Sequence, residues 1–134
     1  MQSMTIARLG RAGGVGVETV RYYQRRGLMP VPGRESEGIN GGIRRYGDYD
    51  LRRLRFIRSA QAAGFTLEQI RTLLDLDATE DRATARAMAG ERIVALDARI
   101  AGLVAARNAL ARLADHCASG DSGPCPILSA FEGN

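Results

Sequence analysis

Read in sevens, residues 79–118 carry one continuous stripe. Ala89, Leu96, Leu103, Leu110 and Cys117 fall at one position of the repeat, and Ile93, Ile100 and Ala114 fall at the other. Steps of four and three keep such a stripe on one face of an α-helix and turn it toward a partner helix. Ala and Arg, both strong helix formers, dominate the run, and neither Gly nor Pro interrupts it between Glu91 and Ala101. Forty residues at ~1.5 Å each make a rod of roughly 60 Å. A chain of 134 residues is too short to wrap such a rod. The stripe therefore predicts a dimer interface, a two-stranded coiled coil. Arg107 also holds a seam position, which requires a partner carboxylate or a side chain that reaches out to water.

Charge divides the chain in two. Residues 1–60 hold twelve Arg against five acids, net +7, while residues 61–134 hold seven Arg against ten acids, net −3. All basic residues are Arg, and a basic front half suits a polyanion. No apolar run approaches the ~20 residues that span a bilayer. The N-terminus lacks a secretory apolar region, so the chain is expected in the cytoplasm and away from membranes. Its two cysteines are then reduced, open as thiolates to a metal or an oxidant. An enzyme is a poor reading: there is no Ser/His/Asp set and no phosphate-binding Walker loop. The single histidine, His116, adjoins Cys117 on a helix, where neighbouring side chains do not face each other.

Thr5 predicts the cap of a short helix from Ile6 to about Ala12, with Ile6 and Leu9 inward. Gly13, Gly14 and Gly16 form a turn, and Val17 to Arg26 a second helix closed by Gly27. Two short helices across a glycine turn make a helix-turn-helix. The second offers Glu18, Thr19, Arg21, Tyr22, Gln24, Arg25 and Arg26, with only Val17, Val20 and part of Tyr23 for a core. So polar a helix suits a DNA major groove. The Pro- and Gly-rich segment 28–40 is irregular, and Ile43-Arg44-Arg45-Tyr46 reads as the return strand of a small β-wing, or as a loop. A third helix runs from Tyr49 or Asp50 to about Ala63. Its inner face is Leu51, Leu54, Ile57 and Ala60; Arg52, Arg53, Arg55 and Arg58 lie largely outside. Thr66-Leu67-Glu68-Gln69 is a capping box opening a fourth helix to about Asp77, with Leu67, Ile70, Leu73 and Leu74 inward. The acids from Asp75 to Asp81 mark the hinge into the long helix. After Cys117 comes a Gly/Pro loop, and Pro126 opens a short terminal helix.

Together these fragments resemble the MerR family of transcriptional activators. They are Val17 to Leu28, Ile43 to Tyr46, Ala63 to Ile70, and the Cys117-to-Cys125 loop followed by Pro126-Ile127-Leu128. The likeness spans nearly the whole chain in the family's order. It implies a mainly α fold: a winged helix-turn-helix domain (1–77), a dimerisation helix in an antiparallel coiled coil (78–118), and an effector loop with a terminal helix (119–134). It also implies a homodimer on double-stranded promoter DNA, acting with RNA polymerase. The family's promoter spacer is too long for productive polymerase binding, and effector capture kinks and untwists the DNA. By the pattern, Arg21 and Tyr22 touch phosphates and Glu18 and Thr19 lie nearer the bases. Arg34, Arg44 or Arg45, and Tyr46 are the wing contacts.

Cys117 and Cys125 are the candidate metal ligands, with seven residues between them that include Gly120, Gly123 and Pro124. Thiolates select soft ions such as Cu(I), Hg(II) or Zn(II). Two thiolates with no third donor favour linear coordination, which suits Cu(I), Ag(I), Au(I) and Hg(II), whereas tetrahedral Zn(II) needs two more ligands. Cys125 is expected at a helix N-terminus, which lowers its pKa. In the family's divalent sensors a third cysteine joins from the other subunit; the resemblance puts Arg82 or a close neighbour at that place, and no Cys stands there. The seven-residue spacing resembles the copper-, silver- and gold-sensing branch; the second helix and the Cys125-Pro126-Ile127-Leu128 tail resemble the mercury branch. A thiol-redox switch, a pair of buried structural cysteines, and a nucleoid-type DNA binder without a sensor are the rival readings.

Overall fold

The computed structural model describes residues 3–33, 44–120 and 123–132. Six helices follow in order: α1 (Ile6–Ala12), α2 (Val17–Arg25), α3 (Asp48–Ala62), α4 (Leu67–Thr79), α5 (Arg82–Ser119) and α6 (Pro126–Glu132). The chain divides into two compact units, Met1–Ala89 and Gly90–Asn134.

In the first unit, local chemistry sets each helix. The Thr5 hydroxyl accepts from the Arg8 amide at the start of α1. Gly13 closes α1, and a Cβ there would lie 2.4 Å from Leu54 Cδ2, so only glycine lets this turn rest on α3. The capping box at α4 forms as expected, the Gln69 amide donating to Thr66 and the Thr66 amide to the Gln69 side chain. Between the helices the core closes on Leu9, Val20, Tyr23, Leu54, Ile57 and Ile70, with Ile6, Val15, Leu51, Phe65, Leu67 and Leu74 packed against it. Leu54 and Ile57 are fully buried.

Four details depart from the sequence pattern. Leu28 and Met29, in the stretch read as irregular, are core residues. Their amides turn back to the Tyr23 carbonyl, so an irregular backbone still delivers two apolar side chains inward. Tyr46 pairs through its backbone with Met4, N to O at 2.7 and 2.9 Å, as an isolated antiparallel bridge. Arg34, Gly41, Gly42 and Ile43, the outgoing arm and start of the expected wing, lie outside the described residues. Arg53, expected outside α3, is half-buried, with its Nε donating to the Leu28 carbonyl at 2.6 Å. Thr79 ends α4 rather than opening the long helix, because Glu80 adopts a left-handed conformation (φ 58°) that stops the turn. Asp81 then caps α5, its carboxylate accepting from the Thr84 amide and hydroxyl. Those two bonds hold the Asp81 carboxyl below its ordinary pKa.

In the second unit α5 continues as one unbroken helix, and none of its residues is buried. Ile93 and Ile100 are each 57% exposed and Leu103 is 61% exposed. The stripe is helical as expected, and among the described residues nothing buries it. Replacing Leu54 by Ala should cost about 2–5 kcal/mol in urea unfolding at fixed protein concentration, the range for a fully buried leucine. A loss below ~1 kcal/mol means that α1, α2 and α3 do not share this core.

Candidate nucleic-acid interface and paired-thiol site

The exposed helix α2 owes its orientation to two buried side chains. Val20 and Tyr23 face the core, and the Tyr23 hydroxyl donates to Gln61 Oε1 at 2.5 Å. That anchoring leaves Glu18, Arg21, Tyr22, Arg25 and Arg26 exposed, with Thr19 half-buried among them. Arg21 Nη1 meets Glu18 Oε1 at 3.2 Å, an exposed pair that contributes little by itself. The Arg25 and Arg26 guanidiniums lie 5.9 and 5.8 Å from the Tyr22 ring centroid, within cation–π range. The face is cationic and pre-arranged, with donors ready for phosphate oxygens or base edges.

Of the residues expected on the wing, Arg44 is exposed and Arg45 half-buried. Tyr46 departs from its expected contact role. It is 2% exposed, and its hydroxyl accepts from Gln24 Nε2 at 2.9 Å. Its backbone is spent on Met4 and its ring on the core, so it offers no surface to a phosphate. Gln24 also donates to the Pro30 carbonyl, tying α2 to the segment after it. The alternation of Arg44, Arg45 and Tyr46 does not by itself reveal which of them turns inward; the pairing with Met4 decides it.

The second site lies where α5 ends. The Cys117 and Cys125 sulfurs stand 3.4 Å apart, both half-buried and both free thiols. Gly123, with φ of 100°, gives the connecting loop a turn that other residues rarely adopt. Pro126 opens α6, and the Ser129 amide donates to the Cys125 carbonyl at 3.0 Å. The Leu128 amide, then the Cys117 thiol and the Ile127 amide, donate to the Cys125 sulfur and lower its pKa. Cys117 moves the other way, because it donates to Cys125 and then faces that negative charge. The pair is thus unequal, with Cys125 the sulfur that gives up its proton more readily. At ~2.3 Å per metal–sulfur bond, a linear ion sets its sulfurs about 4.6 Å apart and a tetrahedral one about 3.8 Å. The pair is therefore near chelating distance and must open by about 1.2 Å for linear coordination. Among the described residues no group of three or more His, Cys, Asp or Glu comes together to hold an ion.

The first unit defines a helix-turn-helix protein. A profile described as MerR HTH family regulatory protein matches residues 4–77, and one described as MerR, DNA binding matches residues 51–113. The chain is 35% identical over 134 residues to the mercuric resistance operon regulatory protein of Serratia marcescens, covering 99% of this chain and 90% of that protein. It is 37% identical over 127 residues to heavy metal-dependent transcription regulator 2 of Rhizobium meliloti (strain 1021), covering 93% and 84%. The transcription regulator PbrR691 from Ralstonia metallidurans CH34, solved in complex with lead(II), matches with a TM-score of 0.68 at 34% identity. That match covers 96% of this chain and 98% of the other. The chain belongs to the MerR family of helix-turn-helix transcriptional regulators, which are not enzymes.

The lowered pKa of Cys125 sets a reactivity order. Alkylation by iodoacetamide near neutral pH should modify Cys125 before Cys117, with its rate levelling off at a lower pH. Cys117→Ala removes one donor to the Cys125 sulfur and should move that inflection upward. Peptide mass mapping across pH checks both, and faster labelling of Cys117 contradicts the assignment.

Proposed function

We propose that the chain is a metal-responsive transcriptional regulator that binds promoter DNA as a homodimer, with a soft thiophilic ion on Cys117 and Cys125 as its effector. The observation that carries the reading is the 3.4 Å approach of the two sulfurs across the Gly/Pro loop. The names of the relatives, one of a mercuric resistance operon and one heavy metal-dependent, support a metal effector.

Two thiolates suit Cu(I), Ag(I) or Au(I), and these are the ions the donor pair favours. Hg(II) is the second reading, favoured by the Serratia relative. Holding the ion on both sulfurs would require each thiol to lose its proton to water, Cys125 the more readily, in exchange for their mutual hydrogen bond. That displacement acts at the last seam position of α5, where Cys117 sits.

On DNA, α2 enters the major groove with Glu18 and Thr19 toward base edges and Arg21 and Tyr22 on phosphates. Arg44 and Arg45 add phosphate contacts beside it, as does Arg34 on the wing. Tyr46 acts from the core, by holding Gln24. The dimer has two states that differ in how far they bend the promoter. An effector that binds one state better shifts the balance by its difference in affinity, and the bent spacer then suits RNA polymerase. Among the described residues no helix is long and apolar enough to cross a membrane, and we place the regulator in the cytoplasm.

Anaerobic titration of the reduced protein with Cu(I), and separately with Hg(II), tests the effector. The expected result is a sulfur-to-metal charge-transfer band saturating at one ion per subunit and lost in Cys117→Ser. Competition between the two ions ranks them. A stoichiometry untouched by Cys117→Ser overturns the site, and promoter output that follows oxidant but neither metal replaces it with a redox switch.

A further inference from the structure

We propose that Arg53 and Arg71 are positioning residues for DNA recognition: they grip the carbonyls on either side of Gly27 and hold the end of α2 at its working angle. The inference rests on the reading of α2 as a DNA-recognition helix and adds the device that aims it.

Val20 and Tyr23 anchor the nine-residue α2 through its buried face, and Gln24 ties it to Tyr46 and Pro30, which leaves the chain just past its C-terminal end to be held. Its C-terminal end, where the last carbonyls lack helical partners, is where outside donors are most effective. Two donors arrive from different elements, one at the C-cap carbonyl and one two residues beyond it. Arg53, on α3, donates from Nε to the Leu28 carbonyl at 2.6 Å, and its Nη1 is braced by the Tyr49 hydroxyl at 3.2 Å. Arg71, on α4, donates from Nη2 to the carbonyl of Arg26, the residue that caps α2. Between the two carbonyls stands Gly27 at φ 75°, in the left-handed region, and its missing Cβ makes the room that the Arg71 guanidinium occupies. Both guanidiniums also complement the negative end of the α2 dipole.

The same chain segment is held from two helices that share no backbone hydrogen bond with it. Rotation of α2 thus requires breaking a charge-assisted bond on one side or the other. The exposed face of α2, with Arg21 and Tyr22, is fixed relative to α3 and α4 by side chains that need not touch DNA themselves. The sequence places Arg53 and Arg71 among other solvated arginines, so their role is visible only in the geometry.

A positioning role and a phosphate contact differ in their salt signature. The probe is a duplex selected by the full-length wild-type protein from a random-sequence pool, with poly(dI-dC) as the non-specific competitor. Arg71→Ala should lower the specific-to-non-specific affinity ratio by roughly tenfold, the loss expected for a charge-assisted bond. It should leave the slope of log affinity against log salt unchanged. Arg21→Ala, removing a proposed phosphate contact, should instead flatten that slope by ~0.9. Arg71→Lys, which keeps a cationic donor over Gly27, should restore much of the ratio, and Arg53→Lys should behave alike. Should Arg53→Ala unfold the protein, the Lys variants and Arg71→Ala carry the test.

A flattened slope in Arg71→Ala makes it a direct phosphate contact and overturns the proposal. So does an unchanged affinity ratio. If the wild-type protein enriches no sequence at all, the DNA-recognition reading itself falls; enrichment with an unaltered ratio in the variants removes only the positioning role.

Discussion

Among the described residues nothing buries the apolar seam of α5, and the rest of the structure depends on that. A 38-residue helix with no buried residue gains little from tertiary packing. Isolated helices are marginal in water, because most helical stability in proteins comes from burying one face. Ile93, Ile100, Leu103 and Leu110 supply such a face and leave it open. In the proposed homodimer a second copy would offer the same stripe in return, a self-complementary contact of the kind that closes as a two-fold dimer. Such pairing would give the regulator two helix-turn-helix units and so a means to grip a two-fold DNA site.

The first unit does not need that partner for its own core. Leu54, Ile57 and Ile70 close it from α3 and α4, while Val20 and Tyr23 attach α2. Energy and recognition are therefore split across α2: the buried side chains hold it, and the polar ones remain free for another molecule. Tyr46 shows the same division one layer in. Its ring is core, and its hydroxyl steadies Gln24 and through it the segment after α2.

Much of this architecture was legible in the residues. Thr66 and Gln69 spell a capping box three apart, and both bonds form. The spacing of Leu54, Ile57 and Ala60 marked the buried face of α3 because a 3.6-residue period is a purely local signal. What stayed hidden depends on contacts and turns that no helical period encodes. Leu28 and Met29 sit in a Pro- and Gly-rich stretch, and only their hydrogen bonds to Tyr23 turn them inward. Tyr46 takes its direction from Met4, forty-two residues away in sequence. Arg53 is an ordinary helix-face arginine until Leu28 comes within reach. The break before α5 hinges on Glu80 in a left-handed conformation, which no composition rule marks for a glutamate. For the two cysteines, the Gly/Pro loop forecast a meeting. The unequal sharing of their proton depends on backbone amides of α6.

The seam ends on Cys117, so in the proposed regulator the helix that would pair two subunits and the sulfur that would meet an effector are one element. Coupling between pairing, capture and DNA shape would then depend on how that one helix is held at its end. The dimer is the premise beneath all of it. Size-exclusion chromatography with in-line light scattering at micromolar concentration measures it directly. The account predicts a molar mass twice that of the 14.5 kDa chain. A mass of one chain, with the apolar stripe open to water, contradicts it.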